Sequence, residues 1–328
     1  MLGSGLPSYR EVLPGAFLVE LPLPYSLTPI NVYLVRLSEG YLLVDCGMDT
    51  EDCRNALLNA LRDLSASWRD IRRILLTHVH PDHMGLAPRL VELTGARLLM
   101  HKDDVAYLNV LAKYDEYSAW SADVLREAGV SPDIIARIGA AAEGIHVSFQ
   151  KLSPDVMLSG GEKIEASIGT LDVHWTPGHS PGHVCLYNAE HRGLFSGDQM
   201  LTEITPNIGW HPGREALSEY LNSLDDLARL EIDLVLPAHG APFSNHREWI
   251  RKTVAHHADR CARILAELAA EPKTAADLVP RLWDRTLAPF HYRFAVFEIL
   301  AHLEYLERQG KISRLTNGSV RWRSSIRT

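Results

Sequence analysis

The chain has few cysteines. Cys46, Cys53, Cys185 and Cys261 are scattered over 328 residues with no CxxC pair among them. That spacing argues against a disulfide framework and for reduced, mostly buried thiols. No apolar run approaches the ~18–20 residues that cross a bilayer, so a membrane role is not expected. Met1 to Pro14 lacks the charged-then-apolar pattern of an export signal, and a cytoplasmic protein is expected. Internal repeats and low-complexity stretches are also missing. No Ser-His-Asp or Cys-His set for nucleophilic catalysis is evident.

What remains is an ordinary globular composition, 46% hydrophobic and 23% charged. The length suits one large domain plus a small one, or two medium ones. Sixteen histidines are many for this length, and neutral imidazole is the commonest metal ligand. The net charge of −8 is unevenly spread. From residue 251 onward there are 14 Lys/Arg and 8 Asp/Glu, a net of +6, which leaves −14 on the first 250. Such asymmetry can mark a nucleic-acid-facing appendage, though more often it is incidental.

The first 45 residues alternate turn signals with short β-rich runs. Ile30–Val35 and Tyr41–Val44 read as strands joined at Glu39-Gly40. Residues 50–63 carry apolar positions at helical spacing, Arg73–Leu76 reads as a short buried strand, Gly85–Leu93 as a helix and Arg97–Met100 as a strand. This alternation implies a layered α/β domain. Residues 102–147 hold helical patterns (Asp103–Leu111, Ser118–Ala128, Asp133–Ala142) and read as an insertion. Strands near 164–175, 183–188 and 193–197 follow, then a helix at 214–229 and a strand at Leu234–Leu236. Beyond His246 come long helical patterns punctuated by Pro272 and Pro280. Ala295–Gln309 is strongly helical, with Gly310 as its C′ residue. Two short alternating runs then flank Asn317-Gly318, a strong hairpin signal. Helices followed by a hairpin suggest a winged-helix module at roughly 255–325. We place domains at 1–250 (catalytic, with the 102–147 insertion) and 251–328 (winged-helix-like).

The decisive segment is Thr77-His78-Val79-His80-Pro81-Asp82-His83, after a strand and before a helix. Three imidazoles and a carboxylate crowd one loop. His78 and His80 project to the same side of extended backbone, and Asp82 and His83 can reach a second point nearby. Four donors cannot fill two sites. Downstream, Pro177-Gly178-His179, Ser196-Gly197-Asp198 and Pro237-Ala238-His239-Gly240 each offer one more, at a strand end beside a glycine. A carboxylate such as Asp198 can bridge two cations.

These segments resemble the metallo-β-lactamase superfamily over roughly residues 15–245. The resemblance implies a four-layer αββα fold. It implies one metal on His78, His80 and His179, another on Asp82, His83 and His239, and Asp198 bridging them. Asp45, in Val44-Asp45-Cys46-Gly47, matches a family acid that orients the ligands from behind; a turn-forming Asp is the alternative. True β-lactamases of this fold place Cys or Ser where Asp198 stands, so antibiotic hydrolysis is not the expected main activity. Glyoxalase II enzymes share the ligand set but not this C-terminal region. The 197–210 loop and the tail are more similar to a branch that includes the lactamase-beta-like endoribonuclease.

Two divalent ions ~3.5–4 Å apart can share a water of lowered pKa, so that a bridging hydroxide attacks while a metal polarises the substrate. Zinc suits the donors best, and Fe or Mn would also be tolerated. Asp82, Asp198 and His211 are the expected catalytic residues, His211 as proton donor to the leaving group. His183 is either a support to the ligands or structural. His256, His257, His291 and His302 are expected to be structural. Tyr107, Tyr114, Tyr117 and Trp120 either line a substrate pocket or pack a core. The expected function is hydrolysis of an ester, thioester or lactone. A ribonuclease or other phosphodiesterase is the rival, disfavoured because the acidic catalytic part repels a polyanion. A small-molecule substrate and possible self-association complete the expectation.

Overall fold

Apolar runs punctuated by glycine set up the first strands, and the computed structural model shows where they go. It describes residues 8–24, 29–146, 152–202, 205–284, 286–315 and 319–325. The chain divides into two compact units, 1–109, 148–206 and 228–246 in the first, 110–147, 207–227 and 247–328 in the second.

In the first unit β1 (Arg10–Leu13) turns at Gly15 into β2 (Ala16–Leu21), followed by β3 (Ile30–Arg36) and β4 (Tyr41–Val44). Gly40 takes φ +74° at the turn between the last two, where a Cβ would meet the Asp70 carbonyl at 2.2 Å. Only glycine fits there. Helix α1 (Glu51–Asp63), capped by the Thr50 hydroxyl, leads to β5 (Ile71–Leu75). Then come α2 (Pro81–Met84), α3 (Ala87–Thr94), β6 (Arg97–His101) and the start of α4 (Lys102–Leu111). Later segments supply β7 (Val156–Leu158), β8 (Lys163–Ala166), β9 (Gly169–Trp175), β10 (Val184–Asn188), β11 (Gly193–Gly197) and β12 (Leu234–Pro237).

The strands form a seven-stranded sheet, β1 to β7 in order, and a five-stranded sheet, β12-β11-β10-β9-β8. One core joins them: Leu18, Tyr33, Leu42, Val44 and Leu75 of the first sheet pack with Leu171, Val173, Leu186, Phe195 and Leu236 of the second. The Tyr33 and Phe195 rings meet edge-to-face at 5.1 Å. Burial of apolar area on both inner faces is the main driving force for this layering. The pairs β4/β5, β5/β6 and β11/β12 are parallel. Their carboxyl ends are where open α/β sheets characteristically place a site.

The second unit holds α5 (Tyr114–Glu127), α6 (Pro132–His146) and α7 (Ala216–Ala228), then α8 (His246–Ala270), α9 (Ala275–Leu282) and α10 (Pro289–Arg308). An antiparallel hairpin, β13 (Ile312–Leu315) and β14 (Arg321–Ser324), closes it. Helix α10 packs on α6, α9 and β13. Gly310 follows it at φ +69°, the left-handed residue expected past a helix end. The Asn317-Gly318 turn lies outside the described residues. Among the described residues, no helix is long and apolar enough to cross a membrane.

Several expected elements differ in detail. The helix expected over Gly85–Leu93 is α3, which starts at Ala87 with Pro88 in its first turn, and the separate short helix α2 precedes it. The strand expected near 164–175 is a hairpin turned at Gly169, φ +87°. Pro280 lies inside α9 and does not end it; a capping box between Thr274 and Asp277 starts that helix. Helix α10 begins six residues before Ala295, with Pro289 at its first position. All four cysteines are free and buried.

Candidate metal centre

The seven donors expected from the sequence converge in the first unit. His78, His80, His179 and Asp198 form one group, and Asp82, His83 and His239 another, each with donor atoms within 4.8 Å of one another. His78 is buried in the loop after β5, and His80 and Pro81 start α2. His179 follows β9, Asp198 follows β11 and His239 follows β12.

Asp198 faces both groups. Its Oδ2 lies 3.5 Å from His179 Nε2, while its Oδ1 lies 3.4 Å from His83 Nε2 and 3.8 Å from His239 Nε2. Asp82 Oδ2 is 3.2 Å from His239 Nε2. Gly197, at φ +50°, makes this approach feasible, since a Cβ there would meet His183 Nε2 at 2.6 Å.

Partners behind the site fix which nitrogen each imidazole presents. Asp45, itself at φ +56°, accepts from the Thr77 N–H and hydroxyl, both at 2.8 Å, and from His83 Nδ1 at 2.8 Å. With its proton given to Asp45, the Thr77 hydroxyl oxygen accepts from His78 Nδ1 at 3.1 Å. His239 Nδ1 donates to the Pro29 carbonyl at 3.3 Å. Three Nε2 lone pairs are thereby aimed inward. His183 accepts the Asp198 N–H on Nε2 at 3.1 Å and meets the Thr176 hydroxyl through Nδ1 at 2.8 Å. It holds the backbone of Asp198, the residue that faces both donor groups.

The donor set fits cations. His80 Nδ1 lies 2.9 Å from His78 Nε2 and 3.1 Å from His179 Nε2. Three imidazole nitrogens facing one another repel unless something positive sits among them, and the spacing suits neighbouring donors on bonds of about 2.0–2.1 Å. The buried His83 Nε2 and Asp198 Oδ1 make no hydrogen bond of good geometry. A buried polar atom left so is costly unless an ion satisfies it.

Electrostatics agree. Burial, then the neighbouring imidazoles, holds His78 well below its ordinary pKa and His80 down at about 3. Both stay neutral. Burial also opposes charge on His83, but Asp198, Asp45 and Asp82 outweigh it and raise His83 well above the usual value. Burial would raise Asp82, yet His83 and a hydrogen bond from His239 pull it to about 2. Carboxylates that draw protons onto His83 and His239 would equally draw a metal ion.

Sequence reasoning missed four supports. Asn31 Nδ2 donates to the Pro237 and Gly240 carbonyls at 3.0 and 2.7 Å, and Tyr33 Oη donates to Pro237 at 2.7 Å, so β3 braces the turn that carries His239. Thr77 stands inside the motif that was read, but its hydroxyl relay was not. Asp104, in the first turn of α4, accepts from the Val79 N–H at 3.1 Å, the Ser180 hydroxyl at 2.9 Å and the Gly182 N–H at 2.6 Å. Its partners are 25 to 78 residues away, and nothing local marks it.

His211 belongs to the second unit, partly buried just before α7, where its carbonyl accepts from the Arg214 N–H. Tyr117 and Trp120 pack in that unit as well. Trp120 stacks on Trp210 at 6.2 Å and meets Phe297 at 6.1 Å, and Arg293 donates to Tyr117 Oη at 2.6 Å. Both rings make these packing contacts while staying half-buried.

Comparison with known proteins extends the geometry. The family described as the Metallo-beta-lactamase superfamily matches residues 25–239, and one described as Metallo-beta-lactamase-like, C-terminal domain matches 261–325. The probable metallo-hydrolase YqjP of Bacillus subtilis is 25% identical, covering 92% of this chain and 95% of that protein. The acyl-coenzyme A thioesterase MBLAC2 of Gallus gallus is 30% identical over 80% of this chain and 94% of its own. The crystal structure of metallo-beta-lactamase family protein TTHA1429 from Thermus thermophilus is 33% identical, covers 96% of this chain and 100% of that one, and superposes with a TM-score of 0.83.

Proposed function

Since this chain belongs to the metallo-beta-lactamase superfamily and is a metal-dependent hydrolase, we propose that it hydrolyses acyl thioesters with two divalent cations, zinc by preference. One observation carries the reading: the two oxygens of Asp198 face the two donor groups separately. In this reading His78, His80 and His179 hold one cation, Asp82, His83 and His239 the other, and Asp198 both. Iron or manganese would also suit a mixed imidazole and carboxylate set. Likeness to a protein named an acyl-coenzyme A thioesterase supports the thioester among the esters and lactones considered.

When bound, the cations would supply a water of lowered pKa and an electrophile for the acyl oxygen. The chain's own side chains do the rest. Asp45 and Thr77 keep His78 and His83 in the tautomers that present Nε2. His183 holds the Asp198 backbone. Asp82 and Asp198, ionised beside His83 and His239, provide the negative charge that retains cations. The partly exposed His80 and Asp82 lie on the solvent side of the cluster. Residues 1–250 would carry this chemistry, with residues 251–328 as a winged-helix-like appendage.

A panel of acyl-CoA thioesters, lactones, aryl phosphodiesters and single-stranded RNA tests the reading on metal-loaded protein. Thioester turnover that Asp198→Ala abolishes is expected. Rapid RNA cleavage without thioester hydrolysis would replace it with the nuclease reading.

A further inference from the structure

We propose that Asp104 is a positioning residue for the first donor group, its carboxylate locking the loop that carries His78 and His80 to the turn that carries His179. The proposal rests on the reading of those histidines as metal ligands.

Asp104 is 1% exposed and lies in the first turn of α4, yet its carboxylate serves two distant loops. Oδ2 accepts from the N–H of Val79, between the two ligands of the His78–His80 loop, and from the hydroxyl of Ser180, next to His179. Oδ1 accepts from the Gly182 N–H at 2.6 Å. One rigid group therefore sets the distance between three imidazoles that come from segments about a hundred residues apart. Gly182 shows how closely the turn is drawn in, since a Cβ there would meet the Asp104 N at 2.4 Å and its Cβ at 2.8 Å.

The chemistry selects a carboxylate. Two N–H groups and one hydroxyl point at it, and an ionised carboxyl accepts from all of them. Asparagine has the same shape, but its NH2 would face one of those donors. Placing a charge here is costly: burial pushes the Asp104 carboxyl up to about 7 although three donors pull it down. A neutral contact would link α4 to these loops at less cost, so what the ionised group adds is the fixed spacing of the loops.

The test uses the full-length metal-loaded protein, with Asp104→Asn and Ser180→Ala, folding checked by circular dichroism. Metal content is followed after a zinc chelator is added. Wild type should keep about two equivalents. Asp104→Asn should release one of them at least ~10-fold faster while keeping the ion on Asp82, His83 and His239, in line with the 10- to 100-fold effects of groups that orient ligands. Ser180→Ala should do the same more mildly. Loss of both ions at equal rates, or retention like wild type, overturns the proposal. If Asp104→Asn does not fold, wild-type retention by Ser180→Ala overturns it instead. Amide exchange at Val79 and Gly182 in metal-free protein separates the two readings. Exchange at least ~10-fold faster in the variants supports the lock even if wild type binds no metal, an outcome that would sink only the metal assignment. Unchanged exchange overturns the lock itself.

Discussion

At the scale of residues, the centre depends on protons being held in the right places. Asp45 accepts three hydrogen bonds, and the one from His83 Nδ1 decides that His83 offers Nε2 to a cation. Asp45→Asn keeps the shape and removes one acceptor, so His83 loses the partner that fixes its tautomer. We expect a folded protein whose second cation binds about 10- to 100-fold more weakly, with kcat/KM falling at limiting metal and recovering at saturating metal. A competition titration against a chromophoric chelator reads this, and unchanged affinity would assign Asp45 to the turn alone. The convergent donors themselves were legible in the sequence, because three histidines and an aspartate within six residues have no ordinary structural use. Asp45 was legible only through resemblance. Asp104, Asn31 and Tyr33 were not, since each acts on loops distant in sequence and sits in an otherwise ordinary helix or strand.

Periodicity located most elements, and it erred where a single residue changes the backbone's options. Gly169 hid a hairpin inside one apparent strand. Pro280 was read as a break, yet it sits near the end of α9, where few later N–H groups depend on the turn. The pair α8 and α10 carries its own prediction. His302 Nδ1 donates to the Glu298 carbonyl at 2.7 Å, so its Nε2 accepts from His257 Nδ1 at 3.1 Å. Tyr220, His256 and Arg260 complete the surroundings. Burial and these neighbours hold His302 down at about 4 and His257 at about 2, against an ordinary 6.5. Both are neutral when folded, whereas the unfolded chain takes up protons below about 6.5. Their contribution is therefore intact above about pH 6.5 and is lost as pH falls, His302's share ending near 4. At about 1.4 kcal/mol per tenfold change in proton affinity, His302 alone accounts for roughly 3 kcal/mol over that window. Urea unfolding between about pH 7 and about pH 4.5 should show a slope smaller by about one proton in His302→Asn. An unchanged slope would mean that the pair is not buried and neutral.

For the whole molecule, charge and metal act together. The 250 residues that hold the centre carry −14 and the remainder +6. The acidic part favours cations and disfavours a polyanionic substrate, so turnover of an uncharged acyl thioester should depend little on salt, while any RNA cleavage would need the basic residues beyond 250 to hold the backbone and should then fall steeply with it. The seven donors come from strand ends of both sheets within one unit, so a cation that binds only the folded arrangement must stabilise that unit. At a free metal concentration about 100-fold above Kd the gain is about 2.7 kcal/mol. For a unit of roughly 150–250 residues that is about 5–11 °C in Tm. Scanning calorimetry of loaded and chelated protein should show a shift of that size in the transition that Asp198→Ala also lowers. Chelation that strips both metals and leaves every transition in place would mean that the ions are held elsewhere than at these histidines, and the hydrolytic reading would lose its nucleophile.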